Sequence, residues 1–91
     1  MNAIVHDLPT IDGWRVKLAE EFDAMGRALE AMGGRLCMDP AVARGHMDAL
    51  QAIDLLAQQQ HYAARLLRMT DIEQGIAECP LADMAARLRA A

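Results

Sequence analysis

The chain has 91 residues, 54% of them hydrophobic but only 3% aromatic, which makes it one domain at most and leaves no room for a large catalytic cleft. Nine Lys and Arg against thirteen Asp and Glu give a formal charge of −4, which argues against wrapping nucleic-acid phosphates. No hydrophobic run approaches the length of about 18 residues that a membrane span needs, and Trp14, Phe22 and Tyr62 are single copies of their kinds, so an isolated monomer is marginal and self-association is expected.

Residues 1–9 carry no clear period and read as a loose N-terminal arm, with Thr10 after Pro9 as a possible N-cap. A helix is expected over 10–36, where Leu18, Phe22, Met25, Leu29, Met32 and Leu36 repeat as a heptad stripe. Lys17, Glu20, Glu21, Asp23, Arg27 and Glu30 lie off that stripe, and helical spacing makes core filling the default for Met25 and Met32. Gly33-Gly34 weakens the helix end, and Asp39-Pro40 restarts the chain as N-cap and first helical residue. A second helix over 40–69 holds no further Pro and only Gly45, so it can run for about 45 Å without interruption. Its apolar residues, from Ala49 and Leu50 to Leu66 and Leu67, cover more than half the circumference and call for two or three neighbours. Thr70-Asp71-Ile72-Glu73 spells a capping box, and 71–90 reads as short C-terminal helices broken near Pro80. The expected class is all-α: a long antiparallel helical hairpin plus a short C-terminal helix, two copies dimerising into a four-helix bundle.

Cys37 and Cys79 lack metal-site spacing, and no signal peptide is apparent, so they read as reduced thiols of a cytoplasmic protein. His46 and His61 are fifteen residues apart with no ligand motif beside them, which disfavours a metal site.

On the second helix Gln51, Asp54, Gln58, His61 and Arg65 fall on one line. A bundle helix needs a solvated face, and that alone explains a polar line. Residues 49–64, however, hold no Lys, Arg or Glu, and Asp54 is their only charged side chain. An amide-rich patch on a rigid helix is suited to docking a partner.

The segment Asp54-Leu55-Leu56-Ala57-Gln58 resembles the D-x-x-x-Q motif of the CheZ-type chemotaxis phosphatases, helical-hairpin dimers that remove phosphate from CheY-like response regulators. Asp54, Leu55 and Gln58 match the commoner D-L-T-G-Q form, whereas Leu56 and Ala57 replace its Thr and Gly. The resemblance implies that the Gln58 amide positions the attacking water and that Asp54 pairs with an active-site lysine of the regulator. It also implies no cofactor of the chain's own, because Mg²⁺ belongs to the phosphorylated partner. Gln51, His61 and Arg65 would line the contact, the small Ala57 letting the regulator approach. His61, three positions from Gln58, is either a helper that holds the water or steers phosphate, or merely exposed.

Two alternatives stand beside this reading. One is a non-enzymatic helical adaptor or antagonist of a signalling protein. The other is a histidine phosphotransfer module using His46, which Asp48 disfavours by placing a negative charge beside the phosphorylated position.

Overall fold

The computed structural model describes residues 11–90, with side chains from Gly13 onward. Its helices are α1 (Ile11–Cys37), α2 (Pro40–Gly45), α3 (Met47–Arg68), α4 (Ile72–Ala77) and α5 (Ala82–Arg89), with no strand among the described residues. The N-terminal arm and the Thr10 cap expected from the sequence lie outside the described residues.

α1 continues through Gly33-Gly34 and stops at Cys37. The chain then reverses over Met38 and Asp39, whose backbone N–H groups donate to Arg35 and Leu36 carbonyls. Asp39 accepts from the N–H groups of Ala41 and Val42, and Pro40 needs no such partner, so the turn hands directly into α2.

The single helix expected over 40–69 is interrupted. His46, at φ −134° and ψ 35°, separates α2 from α3. The bonds from His46 N–H to Val42 O and from Leu50 N–H to His46 O survive the break, so it is confined to one residue's dihedrals. Gly45 explains its place, since glycine costs a helix about 1 kcal/mol relative to alanine. The capping residue of α4 also differs from the expected Thr70: Asp71 accepts from Gln74 N–H at 3.0 Å. A carboxylate there satisfies an orphan donor and complements the helix dipole as well. Residues 78–81 around Pro80 separate α4 from α5, as the proline requires.

α1 and α3 form an antiparallel hairpin in which Gly33 faces Ile53, Gly26 faces His61 and Asp23 meets Arg68. The seam between them is made of small residues. Ala19 and Gly26 are buried and Gly33 half-buried on α1, opposite buried Leu50, Ala57 and Ala64 on α3, each set spaced by seven. Such side chains let helix axes approach to the short end of the usual range, about 8 Å.

The heptad stripe, whose Met25 and Met32 were expected to fill core, lies outside this seam. Leu18, Met25 and Met32 are 47%, 44% and 45% exposed, and Leu36 is exposed as well, with Phe22 and Leu29 half-buried at the border. Close approach is possible only along the small residues, one position on from Leu18, Met25 and Met32. The large side chains are thereby rotated by about 100° out of the hairpin.

α3 also carries α4 on its far side. Leu66 is buried there, and a Cβ at Gly75 would stand 2.6 Å from its Cδ2, so only glycine admits this contact. Tyr62 donates its hydroxyl to Gly75 O at 2.7 Å, and Arg89 donates to the carbonyls of Ile76 and Ala77, closing the end of α4.

Two neighbouring glycine positions should respond oppositely to alanine. A Cβ at Gly26 would lie 2.8 Å from the His61 ring, whereas at Gly34 it would meet nothing within 4 Å. Gly26→Ala should destabilise by about 1–3 kcal/mol through overpacking. Gly34→Ala should stabilise by about 0.5–1 kcal/mol through helix propensity. Thermal unfolding followed by circular dichroism reads both, and equal shifts would contradict the close seam.

Candidate functional site

The polar line of α3 lies beside the seam, on the side where α1 presents its charges. Gln51, Asp54, Gln58 and Arg65 are exposed. Gln58 Nε2 donates to Asp54 Oδ2 at 2.9 Å, the geometry expected for an (i, i+4) pair on adjacent turns. With one Nε2 hydrogen so engaged, the amide keeps its second N–H donor and its Oε1 acceptor.

Ala57, expected to ease a partner's approach, is 1% exposed and sits in the hairpin seam. Its small size serves α1 rather than a docking protein, which removes it from the contact surface. His61 is also placed differently from an exposed helper. It is half-buried, with Nδ1 at 2.8 Å from Asp23 Oδ1 and Nε2 at 3.2 Å from Glu30 Oε1, both on α1. The other Asp23 oxygen accepts from Arg68 at 2.7 Å. Only the imidazolium form has two N–H groups to donate, so this arrangement favours the charged ring.

The titrations follow from those contacts. The hydrogen bond to Asp23, reinforced by Glu30, raises the His61 pKa above 6.5. Hydrogen bonds from His61 and then Arg68 lower that of Asp23 below 3.8.

Sequence reasoning missed the groove next to this line. Gln58, His61, Tyr62 and Arg65 form one wall and Pro80-Leu81, between α4 and α5, the other, around an open space of about 330 Å³. The Arg65 guanidinium carbon lies 5.9 Å from the centre of the Tyr62 ring, which fixes a cation at the groove's edge. Pro80 was readable as a helix breaker, but nothing local in the sequence placed it opposite Gln58.

His46 is exposed at the junction of α2 and α3, where it lines a separate groove with Arg44, Met47 and Asp48. Cys37 is exposed and Cys79 buried, both as free thiols. No cluster of three or more metal-ligating side chains suited to an ion occurs among the described residues. No described helix is long and apolar enough to cross a membrane.

No family model, curated protein or solved structure matches this chain.

The charged cluster makes stability depend on pH with a definite sign. The His61 contribution is complete below pH 6.5 and is lost as pH rises through the elevated folded value. The Asp23 contribution is present above 3.8 and lost as pH falls through the depressed one. Melting temperature should accordingly be higher at pH 6 than at pH 9, and His61→Gln should flatten that difference. An unchanged difference in the variant would show that another group carries it.

Proposed function

We propose that the chain accelerates hydrolysis of the aspartyl phosphate of a CheY-like response regulator in the cytoplasm, acting as a homodimeric four-helix bundle. The observation that carries the reading is the Gln58–Asp54 pair, an amide and a carboxylate joined at 2.9 Å on an exposed face of α3. Aspartyl-phosphate hydrolysis needs a water in line with the breaking P–O bond, held by a group that does not repel the phosphoryl oxygens. A neutral amide meets that need, its oxygen accepting from the water. Asp54 is placed to pair with the regulator's active-site lysine, a contact that would release Gln58 Nε2 toward the reacting centre. The regulator supplies Mg²⁺ together with the phosphoryl group, so the chain needs no cofactor of its own. Gln51 and Arg65 continue the contact surface on either side. His61 acts through α1 rather than on the water, because its two nitrogens face Asp23 and Glu30.

Decay of acyl phosphate on receiver domains, with and without catalytic amounts of the protein, tests the mechanism. Gln58→Ala should lower the accelerated rate about 100-fold, the scale expected when a reacting water loses its positioning. It should leave the melting temperature within about 4 °C of wild type, since surface changes fall within about ±0.5 kcal/mol. His46→Gln should retain full activity. Acceleration that survives Gln58→Ala would remove the mechanism, and dependence on His46 would favour phosphotransfer.

A further inference from the structure

Most of the exposed large apolar side chains of the hairpin are gathered on one side, Val16 and Leu55 lying elsewhere. Leu18, Met25 and Met32 share one line of α1 at heptad spacing, bordered by Trp14 and Leu36. At about 100° per residue, the side of α3 that flanks this line in an antiparallel pair carries Ala49, Ala52, Leu56 and Ala63. Leu56 is 45% exposed and Ala49 and Ala52 are exposed as well. The Gln58 line occupies the opposite side, with Asp23, Glu30 and His61.

The chain does not complete a core without covering that surface. No large side chain among the described residues is fully buried, and its buried hydrophobics are mostly alanines. α1 has only α3 and, near its end, α2 as principal neighbours. The surface has the size an interface requires. From Leu18 to Leu36 is about 27 Å along the helix, and two helices are about 20 Å wide, giving roughly 550 Å² per copy. Two copies then bury roughly 1,100 Å², past the threshold of about 1,000 Å² for a specific interface.

We infer that a second copy of this chain covers the Leu18–Met25–Met32–Leu36 side of the hairpin, so that the two Gln58–Asp54 pairs point outward from opposite faces of the assembly. The inference rests on the two-copy assembly proposed above and adds its interface. Each polar line is then complete within one chain, and the dimer takes up two partner molecules independently. The occupant is self rather than a foreign protein because the stripe has the heptad repeat and near-absence of charge through which matching helices pair.

Light scattering coupled to size exclusion, with melting recorded over a 100-fold range of concentration, tests the assignment. Wild type should be a dimer whose melting temperature rises with concentration. Met25→Glu should weaken association at least about 100-fold by burying a charge, while its helix content at high concentration stays close to wild type because Met25 is exposed in the single chain. Gln51→Lys, on the polar line, should remain dimeric. A wild-type monomer with a concentration-independent melt overturns both the assembly and the face. A wild-type dimer that resists Met25→Glu but separates with Gln51→Lys overturns the face alone and leaves the assembly standing.

Discussion

Close approach of two helix backbones is the constraint on which the rest of this molecule depends. Ala19, Gly26 and Gly33 on α1 and Ala57 and Ala64 on α3 leave little between the axes. Everything larger must then find room beside the seam. On one side stand leucines and methionines, and on the other a charged cluster and the line of amides. The two faces thus have a common origin: a narrow contact divides the remaining circumference of each helix into two unlike halves.

The charged cluster crosses the seam where large apolar residues would otherwise lock the hairpin. The His61 ring lies so close to Gly26 that the missing Cβ and the imidazole occupy alternative volumes. Asp23, Glu30 and Arg68 surround it with charges of both signs. These pairs are partly solvated, so each stabilises only modestly. Their geometric effect is larger, because they fix the rotation of α3 about its axis and with it the heading of Gln58, one turn away.

Much of this architecture was readable from the residues. Helical periodicity, Asp39-Pro40 and Pro80 located the long helices, the hairpin turn and the C-terminal break, since those signals act through backbone chemistry close in sequence. The seam was not legible because periodicity ranks positions by hydrophobicity. Ala and Gly, weak on any such scale, are the residues that permit backbone proximity, and only their spacing of seven on both helices betrayed them. The break at His46 was missed for a related reason: Gly45 is tolerated in many helices, and its neighbourhood decides whether the helix bends. On the polar line Gln51, Asp54, Gln58 and Arg65 lie where helical geometry put them. The partners of His61 come from 38 and 31 residues away, beyond any local pattern.

The C-terminal pair is attached differently from the hairpin. Tyr62 reaches it with one hydroxyl, and Gly75 admits Leu66 and Met69, while Pro80-Leu81 forms the groove wall opposite Gln58. Helices α4 and α5 are therefore a facing laid over a finished frame. Variation at the groove lip can reshape what enters without disturbing the seam, which lies on the other side of α3. Substitutions at Pro80-Leu81 would change the shape of the lip while leaving both frame and amide pair constant.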